Sequence, residues 1–66
     1  MISRNDDVEI FCTLVHETDR AVLVNDGTRE VWLAKSTITN PEEFPDPGES
    51  FELTIPEWLA GEKGLI

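Results

Sequence analysis

Cys12 and His16 are the only cysteine and the only histidine in the chain, and they are the first pair to ask for chemistry. A thiolate–imidazole nucleophile needs the two side chains within hydrogen-bond reach. Four positions apart on an extended strand they share a face but stand roughly 13 Å apart, too far for that pairing. His16 beside Glu17 and near Asp19 does not make a metal centre either, because such a site needs three or four converging ligands. Asn5-Asp6-Asp7 and Asn25-Asp26-Gly27 resemble pieces of a calcium loop, without the ligand spacing or the closing glutamate. Glu42-Glu43 is a carboxylate pair, but a proline-rich surrounding offers no cleft to separate two pKa values for acid–base work. Gly27, Gly48, Gly61 and Gly64 are too scattered to form a phosphate-cradling loop, and no serine stands in a nucleophile-elbow context. These residues point to a protein that is not an enzyme, with no catalytic residue, metal or cofactor.

Charge is the feature left to explain. Asp plus Glu number 14 and Lys plus Arg 5, so the 66 residues carry a formal charge of −9. A free nucleic-acid binder needs a basic patch, and a peripheral membrane protein needs cations for anionic lipid. Neither suits this balance; a basic protein surface does. Glu42, Glu43, Asp46 and Glu49 form the densest acidic cluster, and Glu30 and Glu52 are outward strand acids that extend it. Outward side chains recur every ~6.8 Å on a strand, and strands lie ~4.8 Å apart. One DNA strand presents a charge every ~3.4 Å. A rigid sheet can therefore offer a phosphate-like field to a groove built for nucleic acid.

The elements that must position these acids are mostly strands. Val8-Glu9-Ile10-Phe11-Cys12-Thr13-Leu14-Val15-His16 nearly alternates, with Val8, Ile10, Cys12 and Leu14 on one face. Arg20 to Val24 and Arg29 to Ala34 are two further strands around Asn25-Asp26-Gly27-Thr28, a hairpin signal. A two-residue Asp26-Gly27 loop sets Val22 opposite Val31 and Ala21 opposite Trp32. Thr39 to Ser50 holds three of the four prolines and reads as a stiff loop pinned by Phe44. Phe51, Leu53 and Ile55 face inward on a fourth strand. Pro56 starts a short helix, Trp58 and Leu59 form its apolar side, and Gly64 stops it. The expected fold is a single mainly β (α+β) domain over 1–66. It is a small antiparallel sheet or partly open barrel, β-β-β-loop-β plus a short C-terminal helix.

An outer apolar set of Phe11, Val15, Ala21, Leu23 and Trp32 also needs a cover, either the C-terminal helix or a second copy of the chain. Domains this short are marginal alone, which favours dimerisation or docking on a larger partner. No stretch approaches the ~20 apolar residues of a membrane span. Met1 to Asp7 lacks the basic head and apolar stretch of a leader, so a cytoplasmic protein is expected.

Glu30-Val31-Trp32-Leu33-Ala34-Lys35-Ser36 and the ending from Ile55 to Ile66, with Pro56-Glu57-Trp58-Leu59-Ala60 at its centre, resemble small phage and prophage proteins. In length and acidity the chain is similar to anti-CRISPR proteins. Some of those act as DNA mimics on the DNA-recognition subunit of a surveillance complex. The resemblance implies a noncatalytic inhibitor working in the host cytoplasm. Its partner would be a basic nucleic-acid-binding protein, such as a CRISPR surveillance complex subunit, with no direct nucleic-acid binding. Glu42, Glu43, Asp46, Glu49, Glu52 and Glu30 are its expected contacts. The alternative is a small β-barrel accessory or assembly module, dimeric, whose acids only face solvent and whose Phe11, Trp32 and Trp58 carry the interface. A third reading is a single-stranded nucleic-acid binder. It needs Arg20, Arg29 and Lys35 gathered around Trp32.

Overall fold

A computed structural model describes residues 6–66; the expected absence of a leader lies largely outside them. Strand β1 (Asp7–Glu17) is followed by β2 (Ala21–Asn25) and β3 (Glu30–Ala34). A single 3-10 turn at Lys35–Thr37, the long loop, β4 (Ser50–Pro56) and helix α1 (Glu57–Glu62) complete the chain. The strands form one open antiparallel sheet in the order β3-β2-β1-β4, so β3 and β4 are its edges. Of the two expected architectures, the sheet is the one adopted.

Alternation divides the sheet as read from the sequence. Ile10, Cys12 and Leu14 of β1, Val22 and Val24 of β2, Leu33 of β3, and Leu53 and Ile55 of β4 are buried on one face. Leu59 and Ala60 of α1 close over them, with Ile38, Phe44, Phe51 and Leu65 packed at the margin. Each fully buried aliphatic side chain contributes on the order of 1.5–3 kcal/mol by leaving water. Phe44 meets the Phe51 ring edge-on at 5.9 Å, which pins the proline-rich loop as expected.

That loop crosses the core face from the β3 edge to the β4 edge. There the Thr39 N–H donates to the Thr54 carbonyl (2.8 Å) and the Thr54 N–H to the Asn40 carbonyl (2.7 Å). These bonds occupy the outer side of β4, which would otherwise be an open edge. The loop returns to the sheet where the Gly48 N–H donates to the Leu14 carbonyl (2.7 Å) and the Leu14 N–H to the Glu49 carbonyl (2.9 Å).

Four finer expectations are corrected. The β2–β3 connection spans residues 26–29, because Asn25 pairs with Glu30. The Asp26 carboxylate accepts the N–H groups of Thr28 (2.9 Å) and Arg29 (3.0 Å), and the Thr28 hydroxyl (3.0 Å). An Asx-stabilised turn of this width displaces the two-residue loop. Val22 therefore faces Leu33 and Leu23 faces Trp32, a shift of one full strand period that keeps every side chain on its expected face. Second, a bulge between Leu14 and His16 re-aims His16, which pairs with Leu23. Third, Pro56 ends β4 and caps the helix, which begins at Glu57; Leu59 and Ala60 face the core while Trp58 points to solvent. A six-residue helix has only one inward stripe, and Leu59 and Ala60 fill it. Fourth, α1 covers the core face and not the outer one, so the outer apolar set has no cover within the described chain.

The helix stops as Gly64 predicts. Gly64 adopts φ +77°, the Leu65 N–H donates to the Ala60 carbonyl (2.8 Å) and the Gly64 N–H to the Gly61 carbonyl (3.2 Å), a Schellman ending. It turns Leu65 back onto the core and leaves Ile66 exposed. No helix among the described residues is long and apolar enough to cross a membrane.

Candidate functional site

The bulge at Val15 separates the two residues most suited to covalent chemistry. Cys12 is 2% exposed on the core face. His16 lies on the outer face, its ring edge-on to Trp32 at 6.2 Å. The expected shared face of Cys12 and His16 is thus corrected: the extra residue changes the parity between them. Burial, and secondarily the negative charge of Asp26, push the Cys12 thiol up to about 11, so it stays protonated and behaves as a small hydrophobe. Among the described residues no group of three or more His, Cys, Asp or Glu side chains is placed to hold a metal ion.

All six acids singled out from the sequence are exposed. Five of them stand on β4 or on the loop that leads into it. Glu52 is on edge strand β4, opposite Phe11. Glu42, Glu43, Asp46 and Glu49 are carried by the loop that is tied to Thr54 at one end and Leu14 at the other, with Phe44 anchored on Phe51. These ties fix the loop to β4 at one end and to β1 at the other, while Glu52 faces outward with Phe11. The Glu49 side chain accepts the Asp46 N–H (3.3 Å), bracing the turn through Pro47 and Gly48. Glu30 is not part of this group: it lies on β3, three strand spacings or roughly 14 Å across the sheet.

Few cations offset these acids. The one ion pair among the described residues joins Lys35 to Glu17 at 2.6 Å. The Lys35 ammonium also sits 5.7 Å from the centre of the Phe44 ring, so it is engaged away from Trp32. Arg29 is drawn across the Gly64 backbone. Lys35 and Arg29 are thus held away from Trp32, so the expected grouping of Arg20, Arg29 and Lys35 around that ring is not formed.

Asp26 is the one acid whose environment sets it apart. N–H bonds from Thr28 and then Arg29 hold its carboxyl below the usual range, with a smaller pull from the Arg29 charge. These bonds give Asp26 a turn-building role.

The outer face is the second feature of note. Phe11 is 66% exposed and Trp32 47%, with half-buried Leu23 between their strands. Glu9 and Thr13 share this face on β1, Glu30 on β3 and Glu52 on β4. The sequence identifies the apolar members of this set through alternation. It carries no signal for the bulge that adds His16. Comparison with protein-family models, with curated proteins and with solved structures finds no match to this chain.

Proposed function

We propose that this chain is a noncatalytic inhibitor of the phage kind, an acidic DNA mimic that occupies the DNA-binding surface of a host CRISPR surveillance complex. The observation that carries the reading is the set of exposed acids on β4 and the loop leading into it, Glu42, Glu43, Asp46, Glu49 and Glu52, none ion-paired among the described residues. Two ties to the sheet and the Phe44 anchor hold the loop before any partner arrives. Preorganisation lowers the ordering cost of binding. Long-range attraction between −9 and a basic groove raises the association rate and weakens in salt. Glu30, on the far edge, becomes a peripheral contact.

The test is charge reversal. Glu42→Lys, Glu43→Lys and Asp46→Lys together, with and without Glu52→Lys, are compared with wild type for binding to a purified surveillance complex. The sites are solvent-facing, so the fold should persist, as checked by circular dichroism. A loss of about tenfold or more is expected. Undiminished affinity would remove these acids from the mechanism.

A further inference from the structure

We infer that the outer sheet face is a docking surface for an extended, arginine-bearing segment of a partner protein, with Phe11 and Trp32 as two cation platforms. The inference concerns the outer sheet face; it shares Glu52 with the proposed contacts and stands without the loop acids Glu42, Glu43, Asp46 and Glu49.

The register supplies the geometry. Phe11 lies directly opposite Glu52, and Glu9 is two residues away on the same face, so the ring is flanked by two carboxylates. Trp32 has Glu30 two residues away on its own strand and Leu23 directly opposite. An exposed aromatic ring with a carboxylate beside it suits a guanidinium. The ring quadrupole attracts the cation, and the carboxylate accepts its N–H groups. Thr13, Asn25 and Glu30 form one row across the sheet, and His16, Leu23 and Trp32 the next. Phe11 lies one row to the other side of Thr13. The two platforms are therefore roughly 16 Å apart on a diagonal, which an extended segment crosses in about five residues. Asn25 lies at the middle of that diagonal, and Leu23, beside Trp32, offers an apolar footing for the side chain next to that arginine.

Charge decides the occupant. The face carries Glu9, Glu30 and Glu52, while Lys35 and Arg29 are engaged elsewhere. A second copy laid face to face would bring these acids against each other, and like-charge contacts of that kind suppress association. Nucleic acid is repelled for the same reason. A basic segment with apolar residues matches both the rings and the rim.

The experiment is a two-dimensional amide NMR titration of the full chain. The probe is a short peptide with two arginines about five positions apart and a leucine between them; the control has glutamine for arginine. Shifts are expected at Glu9, Phe11, Leu23, Trp32 and Glu52 with the arginine peptide alone. Phe11→Ala and Glu52→Gln should each weaken that binding about tenfold. Retained peak dispersion verifies that each variant is folded. Glu42→Lys with Glu43→Lys should leave these shifts in place, which separates this surface from the loop acids. Shifts spread over all carboxylates, or none, would overturn the inference. So would sedimentation showing a dimer that Phe11→Ala dissociates, or equal shifts with a single-stranded oligonucleotide.

Discussion

The Arg29 guanidinium lies over the Gly64 backbone, so close that a Cβ at residue 64 would meet its Nη1 at 2.7 Å. This contact joins the β2–β3 turn to the chain just after α1. Gly64 also sits at φ +77°, where an L side chain is strained. Gly64→Ala is expected to lower unfolding stability by about 1–2 kcal/mol in urea melts. Arg29 is a flexible side chain and can swing aside, so most of the loss should come from the backbone. In an Arg29→Ala background the cost should therefore shrink only slightly.

Leu53 is fully buried on the core face of β4, opposite Ile10 of β1. Leu53→Ala should cost about 2–5 kcal/mol, most of what a domain of this size possesses. The expected outcome is loss of the cooperative melt near room temperature. Thr54→Ala, one residue along at the β4 edge, should keep it, because its ties to Thr39 and Asn40 are made by backbone groups.

Cys12 provides a pH signature. Its thiol is raised from 9.0 to about 11 by burial, so the folded state holds its proton more tightly than the unfolded chain. The stabilisation is complete below pH 9 and is lost as pH rises toward 11. Urea midpoints should fall over that window in wild type and fall less in Cys12→Val. Alkylation by iodoacetamide at pH 8 should be slow in the native protein and fast in denaturant.

Asp26 gives the opposite sign. Its lowered carboxyl pKa means that the folded turn favours the ionised form, so its contribution is present above the ordinary 3.8 and is lost as pH falls below it. Asp26→Asn should flatten the acid limb of the stability profile. By NMR, the Asp26 carboxyl should titrate below the other aspartates.

Much of the fold can be read from side-chain alternation. Ile10, Cys12, Leu14, Val22, Val24, Leu33, Leu53 and Ile55 are read correctly as inward because a half-buried strand writes its two faces directly into the sequence. What escapes reading is set by contacts between distant residues. The width of the hairpin turn depends on three donors converging on Asp26, and the bulge at Val15 on where β2 ends. Where the loop acids lie depends on the route of the 38–49 loop, fixed by Ile38 and Phe44 on a core that exists only after folding. Glu52 and Glu30, equally outward in the sequence, stand on opposite edges of the sheet. The outer face was legible as apolar but not as uncovered, since the one-sided placement of α1 follows from Leu59 and Ala60 rather than Trp58.

Mimicry requires that protein and DNA compete for the same surface. A labelled target duplex is bound to the surveillance complex, and this protein is titrated in at low and at high salt. The account requires full displacement of the duplex at saturation, with the protein's affinity falling as salt rises. A stable ternary complex holding duplex and protein together would contradict it.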